Sequence, residues 1–177
     1  MSLQFNDNGV LPPQDYPMTI EQLKNSLLVH GPGEDSPWNS QMRLMLVNNL
    51  DVLVNQLYTV GIDEIFIDGS FVEDKANPSD IDGYFVTDPN KLPDIVTELN
   101  KIDPHKVWTW DWNDGIYDRN SAKAQLPMWH RYRVELYPHV GQGTGILDEY
   151  GNEQKFPAAF RKTRDTFLPK GIIQIIK

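Results

Sequence analysis

The chain has 177 residues, 40% of them apolar, which suffices for one domain around a single hydrophobic core and argues against intrinsic disorder. Its 25 acidic and 16 basic residues give a net charge of −9, which argues against non-specific binding to DNA or to anionic membranes. There is no cysteine, so disulfides and thiolate metal ligands are excluded, and any metal must be held by oxygen or imidazole donors. No apolar run approaches the roughly 20 residues of a membrane span, and the N-terminus carries no signal pattern. We therefore expect a single cytoplasmic domain over residues 1–177.

The first third of the chain predicts an irregular N-terminal segment followed by two helices. Residues 1–18 show no hydrophobic period and are rich in turn-forming residues. Thr19 and Gln22 form a capping-box pattern, which predicts a short helix over residues 19–29. A longer helix is expected over Ser40–Thr59 because its apolar residues recur at helical spacing. That apolar stripe comprises Leu44, Val47, Leu50, Val54, Leu57 and Tyr58.

Beyond Gly61 the hydrophobic pattern changes to the alternation that is typical of strands. Strands are predicted over residues 64–68, 81–86, 107–112 and 131–137, helices over 92–99 and 157–166, and a strand or buried tail over 172–176. This order of elements predicts an α+β domain in which helices pack on one mixed β-sheet.

Asp80 and Asp82 stand at the beginning of the strand predicted over residues 81–86. Side chains two residues apart on a strand point to the same face, so both carboxylates can bind one cation. Hard oxygen ligands of this kind suit Mg²⁺, which is often shared between carboxylates and substrate phosphates. An isolated Asp-x-Asp pair is weak evidence, because an acidic chain contains such pairs by chance and most lie in solvated turns.

The residues upstream of this pair make it more specific. The strand over residues 64–68 runs directly into Gly69 and Ser70, and Ser70 precedes Asp80 by ten residues. Glycine permits close approach of the backbone to an anion, while backbone N–H groups and a serine hydroxyl donate to phosphate oxygens. Taken alone, Gly-Ser is an ordinary turn. Together with the strand and the spacing, it predicts phosphate donors and metal carboxylates at the same end of adjacent strands.

Glu135 is the best candidate for a third carboxylate. A site for two metal ions must hold them about 3.5–4 Å apart and bind the attacking and leaving oxygens. Glu135 lies between apolar residues on the strand predicted over residues 131–137, where it shares a face with Arg133. The alternative is an exposed ion pair between Glu135 and Arg133.

Three other features have competing interpretations. Lys75, between Ser70 and Asp80, has an ammonium that can reach a phosphate, although a solvated loop lysine is the more common case. Arg131 and Arg133 can neutralise phosphate charge or balance neighbouring acids. The tryptophans of residues 107–112 can stack on bases, but a core position is favoured. These tryptophans are Trp108, Trp110 and Trp112.

The pattern of Gly-Ser, Asp-x-Asp and a later acid on a strand resembles the DNA polymerase β superfamily of nucleotidyltransferases. The wider string from Asp68 to Asp82, with residues 9–13 and 170–173, looks like a small uncharacterised family of bacterial and phage proteins on that fold. Two positions depart from the superfamily pattern: Gly83 follows Asp82 where an apolar residue is usual, and the third acid is Glu rather than Asp.

The resemblance implies a polymerase β palm-like fold and an enzyme that moves a nucleoside monophosphate from a nucleoside triphosphate to a hydroxyl of a protein, an RNA or a small molecule. Asp80, Asp82 and Glu135 would be catalytic and would bind one or two Mg²⁺ ions, while Gly69 and Ser70 would bind the nucleotide. Lys75 is a further nucleotide-binding candidate because of its position in the loop. A protein partner encoded by a neighbouring gene is also implied, as in toxin–antitoxin systems. The alternative is a catalytically inactive nucleotide-binding or interaction module on the same fold, such as a phage accessory component.

Overall fold

Five strands form a mixed sheet in the computed structural model, which describes residues 3–33, 36–119, 123–155 and 157–177. The strands are β1 (Asp15–Met18), β2 (Ile65–Asp68), β3 (Ile81–Val86), β4 (Ile116–Tyr117), β5 (Ala124–Gln125), β6 (Val134–His139), β7 (Gly143–Leu147), β8 (Glu153–Lys155) and β9 (Ile172–Ile175). The α-helices are α1 (Ile20–Lys24), α2 (Leu27–His30), α3 (Ser40–Thr59), α4 (Leu92–Ile102) and α5 (Pro127–Tyr132).

The order of the main sheet is β1-β9-β2-β3-β6. The central strand β2 is antiparallel to both neighbours, whereas β1 with β9 and β3 with β6 are parallel pairs. The strands β4 with β5 and β7 with β8 form two separate hairpins. The predicted α+β class with a mixed sheet is therefore confirmed. Within the described ranges, no helix has the length and apolar character needed to cross a membrane.

Helix α3 covers one face of the main sheet and supplies much of the core. The side chain of Asn39 accepts a hydrogen bond from the amide of Met42 (3.0 Å) and caps its beginning. Its end is a turn in which Gly61 adopts φ 83°. The predicted bounds are thus confirmed, but Leu44 is 38% exposed and does not belong to the buried stripe. The buried apolar residues of α3 are Leu46, Val47, Leu50, Leu53, Val54 and Leu57.

The N-terminal segment is more ordered than its sequence predicts. The capping box is confirmed, because the Gln22 amide donates to Thr19 Oγ1 (3.1 Å) and the Thr19 amide to Gln22 Oε1 (2.9 Å). The helix it opens ends at Lys24, and Ser26 caps the separate helix α2. Residues 15–18 form the edge strand β1 rather than an irregular segment. Its partner β9 lies at the other end of the chain, so no local pattern indicates the pairing.

The prediction of a strand over residues 107–112 is wrong. The amide and carbonyl of Trp108 are bound by the side chain of Asn100 (3.0 and 2.8 Å), which takes the place of a neighbouring strand. Trp108 is fully buried, as favoured, whereas Trp112 is 53% exposed and begins a short 3-10 helix, Trp112–Asp114.

Two further predicted elements differ in the structure. The strand expected over residues 131–137 begins at Val134, because Arg131 belongs to α5 and Arg133 adopts a left-handed conformation between helix and strand. Residues 157–166 contain only the 3-10 helix Ala159–Arg161. The hydroxyl of Thr163 accepts a hydrogen bond from the amide of Leu168 (N to Oγ1, 2.9 Å), and this bond closes a turn where a helix was expected.

Gly83, which departs from the superfamily pattern, fits the sheet closely. A Cβ at this position would lie 2.3 Å from the carbonyl oxygen of Phe66 and 2.9 Å from Leu136 Cδ2. The space that a side chain would take is therefore already filled by the neighbouring strands β2 and β6.

Candidate functional site

Three carboxylates converge at one end of the sheet, on the face opposite α3. Asp82 on β3 and Glu135 on β6 are register partners, and Asp80 immediately precedes β3. One carboxylate oxygen from each of the three lies within 4.8 Å of the others, and all three residues are partly buried. The sequence placed Glu135 in this group on weak grounds. The parallel pairing of β3 with β6 brings it there.

The Gly-Ser turn lies against these carboxylates. Gly69 begins a 3-10 helix, Gly69–Val72, directly after β2, and its φ of 73° is one that glycine adopts without strain. A Cβ on Gly69 would lie 2.2 Å from Asp82 Oδ2. Because Gly69 has no side chain, the carboxylate of Asp82 can lie in contact with this turn. Ser70 follows and is partly buried.

Within the part of the chain that the structure describes, the negative charges of the site have no direct ionic partner. Burial, and then the charges of Asp80, Glu135 and Asp68, raise the pKa of Asp82 to about 7. Burial and the charge of Asp80 also raise the pKa of Glu135. The charges of Arg164 and Lys123 act weakly in the opposite direction. Among the described residues, none of Asp80, Asp82 and Glu135 forms an ion pair.

Hydrogen bonds hold two of the carboxylates in place. The indole Nε1 of Trp129 donates to Asp80 Oδ2 (2.8 Å), and the hydroxyl of Ser79 donates to Asp80 Oδ1 (3.2 Å). The hydroxyl of Tyr137 donates to Glu135 Oε1 at 3.5 Å, which is a long contact. Trp129 has no sequence pattern that marks it, since it reaches Asp80 only through the tertiary packing of α5.

Asp68 and Lys170 form a buried ion pair beside the site that the sequence did not indicate. Asp68 is the register partner of Asp82 on β2, and its Oδ1 lies 3.1 Å from Lys170 Nζ. The same ammonium lies 2.5 Å from Glu73 Oε1. Lys170 and Asp68 are each only 4% exposed. Burial raises the pKa of Asp68 to about 7, against the opposing effect of Lys170.

Arg43 of α3 fixes the loop that follows the Gly-Ser turn. Its guanidinium is completely buried and donates to the carbonyls of Phe71 (2.7 Å), Glu73 (3.4 Å) and Lys75 (2.5 Å). It also stacks on Trp38, 3.7 Å from the ring centroid. Burial lowers the pKa of Arg43 to about 10. Arg43 and Lys170 therefore both bind the connection between β2 and β3.

The remaining predicted residues lie as follows. Lys75 is exposed and forms no ion pair within the described part of the chain, so its contact with a phosphate stays a prediction. The alternative ion pair of Glu135 with Arg133 is not formed, since Arg133 stacks on Trp129 instead. Arg131 is exposed on α5 and does not share the face of Glu135.

The site fits a divalent cation by the chemistry of its donors. Three carboxylates supply hard oxygen ligands, and their mutual repulsion in a partly buried position is relieved when a cation binds among them. A separation of 4.8 Å or less between the donor oxygens suits ligands of one ion, or of two ions that share carboxylates. Asp80, Asp82 and Glu135 would hold such an ion.

Comparison with known proteins identifies a family but no activity. A model described as "Family of unknown function (DUF6932)" matches residues 3–176, almost the whole chain. No curated protein and no solved structure matches the chain. The expected relation to the polymerase β superfamily therefore stays a prediction.

Proposed function

The chain belongs to the family DUF6932, and we propose from its own site that it is a Mg²⁺-dependent nucleotidyltransferase with a polymerase β palm-like fold. One observation carries this proposal, namely the convergence of Asp80, Asp82 and Glu135 within 4.8 Å beside the Gly69 turn. Metal carboxylates beside a glycine turn form a site that suits a metal-bound phosphate chain.

The residues of the chain have separate roles in this proposal. Gly69 and Ser70 bind the phosphates of a nucleoside triphosphate, and Asp80 and Asp82 hold the cation against them. Glu135 completes the cation site on the side of the acceptor hydroxyl. Mg²⁺ supplies charge neutralisation and polarises the phosphate oxygens when it is bound. Lys75 adds a cation at the exposed edge of the loop.

The reaction needs no covalent intermediate with the protein. The oxygen of an acceptor hydroxyl forms a bond to the α-phosphorus while the bond to pyrophosphate breaks, and the hydroxyl proton is released. The protein contributes in-line positioning and electrostatic stabilisation, which suffice for phosphoryl and nucleotidyl transfer. The acceptor is a hydroxyl of a protein, an RNA or a small molecule.

Calorimetric titration tests the binding step. We expect the purified protein to bind Mn²⁺ and Mg²⁺·ATP, and the variant Asp80→Ala/Asp82→Ala to bind neither. The control Asp7→Asn removes an exposed carboxylate that is not part of the acidic cluster and leaves both affinities unchanged. Equal binding by the wild-type protein and the double variant would show that the metal assignment is wrong.

Transfer is tested separately with ATP labelled on the α-phosphate and a cell lysate as the source of acceptors. Label on a discrete acceptor with the wild-type protein, absent with Asp80→Ala/Asp82→Ala, supports the enzyme. The same assay is repeated with the other three nucleoside triphosphates labelled on the α-phosphate. Binding of Mg²⁺·ATP without transfer from any of the four nucleotides would instead indicate the inactive nucleotide-binding module.

A further inference from the structure

Arg133 has a backbone conformation that arginine seldom adopts. It lies between α5 and β6 with φ 54° and ψ 36°, in the left-handed region that favours glycine. Its amide donates to the carbonyl of Trp129 (2.9 Å), and its carbonyl accepts from the amide of Ile81 (3.0 Å). Ile81 stands between Asp80 and Asp82. The strained residue is therefore fixed at both ends, directly beside the carboxylates, and strain of this kind concentrates at functional sites.

The side chain of Arg133 is connected to the same site through Trp129. Its guanidinium stacks on the indole of Trp129, 3.7 Å from the ring centroid, while the Nε1 of that indole donates to Asp80 Oδ2 (2.8 Å). Trp129 is only 7% exposed. The indole of Trp129 thus binds the carboxylate of Asp80 at its edge and the guanidinium of Arg133 on its face.

The guanidinium of Arg133 has no polar partner among the described residues. Within that part of the chain it forms neither an ion pair nor a side-chain hydrogen bond, although the indole on which it stacks donates to Asp80. Stacking uses the face of a guanidinium and leaves its N–H donors at the edge, where they match two phosphate oxygens. Arg133 is also only partly buried, so these donors can be reached from solvent.

We propose that Arg133, held on the face of Trp129, binds a phosphate group of the nucleotide beside the metal site. This inference rests on the proposed function and deepens it, because it assigns a residue that contacts the substrate. Arg133 thereby neutralises phosphate charge from the side of β6, opposite the Gly69 turn on β2.

A cation that binds phosphate has a different signature from one that supports the metal site. Removal of Arg133 takes away no ligand of the metal site, so the affinity for Mn²⁺ alone is expected to stay the same. The same change removes a charge-assisted contact, so the affinity for Mg²⁺·ATP falls, by about tenfold or more. Only the affinity for the phosphate-bearing ligand is therefore expected to fall.

The experiment compares Arg133→Met with Arg131→Met by calorimetry, with three probes: Mn²⁺ alone, Mg²⁺·ATP, and Mg²⁺ with tripolyphosphate. Arg131 is a matched control because it is exposed on α5, two residues away. We expect Arg133→Met to lose affinity for both phosphate probes, whereas Arg131→Met changes by less than about twofold. Arg133→Gly is the second variant, since glycine adopts the left-handed conformation readily and preserves the fold if methionine does not.

Each adverse outcome identifies a different error. If Arg133→Met binds both phosphate probes as tightly as Arg131→Met and the wild-type protein do, the assignment of Arg133 is wrong while the proposed function stands. If Arg133→Met and Arg133→Gly weaken Mn²⁺ and Mg²⁺·ATP to the same extent, Arg133 only supports Trp129 and Asp80, and the inference is wrong. If the wild-type protein binds Mn²⁺ but neither phosphate probe, the proposed function fails, and this inference with it.

Discussion

Asp82 and Glu135 are register partners on the parallel strands β3 and β6, and their carboxylates share a site with that of Asp80. Parallel pairing places residues 53 positions apart in the chain side by side, on the face of the sheet that α3 does not cover. Like charges in such a position destabilise the protein until a cation binds. The geometry of this pair therefore connects the stability of the protein to metal binding and to pH.

The stability of the metal-free protein is expected to fall as the pH rises from about 4 to about 7. The pKa of Asp82 is about 7 in the folded protein, above its usual value of 3.8, so the folded state binds more protons than the unfolded state in this window. Across this range, ionisation of Asp82 should lower the free energy of unfolding by an amount on the order of 1–3 kcal/mol, and Asp82→Asn should abolish that part of the decrease. Urea denaturation at several pH values in the presence of EDTA measures both.

The exposed control Asp7→Asn should follow the wild-type pH dependence. Because Asp68 titrates in the same range and in the same direction, the test is the difference between the two profiles and not the slope of either. Identical profiles for Asp82→Asn and the wild-type protein would contradict the raised pKa.

Glu135→Gln is expected to have opposite effects with and without metal. Without metal it removes one of three repelling carboxylates and raises the melting temperature. With saturating Mn²⁺ it removes an anionic ligand, so the affinity for Mn²⁺ falls by about tenfold or more. Differential scanning fluorimetry over a range of Mn²⁺ concentrations measures both effects, and Glu64→Gln is the exposed control. A variant that binds Mn²⁺ as tightly as the wild-type protein would place Glu135 outside the metal site.

Gly69→Ala should lower both stability and metal affinity, whereas Gly61→Ala should lower stability alone. Both glycines have positive φ, so alanine costs about 1 kcal/mol at either position. Only at Gly69 would the new Cβ strike Asp82, at 2.2 Å from its Oδ2, whereas nothing lies within 4 Å at Gly61. Urea denaturation and titration with Mn²⁺ separate the two effects. Unchanged Mn²⁺ affinity in Gly69→Ala would show that Asp82 does not need this contact.

Lys170→Met is expected to destabilise the protein by about 3–5 kcal/mol, because it leaves the buried carboxylate of Asp68 without its partner. Adding Asp68→Asn to Lys170→Met should restore part of the lost stability, since the buried carboxylate charge of Asp68 is then absent. A double-mutant cycle by urea denaturation measures the coupling. If the free-energy changes of Lys170→Met and Asp68→Asn simply add, the ion pair does not stabilise the connection between β2 and β3.

Local patterns predicted those elements whose signals lie within the segment itself. The capping box of Thr19, the ends of α3 and the strand Ile81–Val86 were predicted correctly because hydrogen bonding and apolar spacing there are local. Prediction from local patterns failed where the hydrogen-bonding partner of a segment lies outside that segment. Asn100 binds the backbone of Trp108 in place of a strand, and β9 provides the pairing that orders β1.

The sequence by itself determined the α+β class and the grouping of Gly69, Ser70, Asp80 and Asp82, because these residues stand at the ends of two consecutive strands joined by a short connection. Only the tertiary structure decided that Glu135 joins them and that Asp68, Trp129 and Arg133 surround them. Those contacts depend on the parallel pairing of β3 with β6 and on the packing of α5, which bring together parts of the chain that have no local interaction.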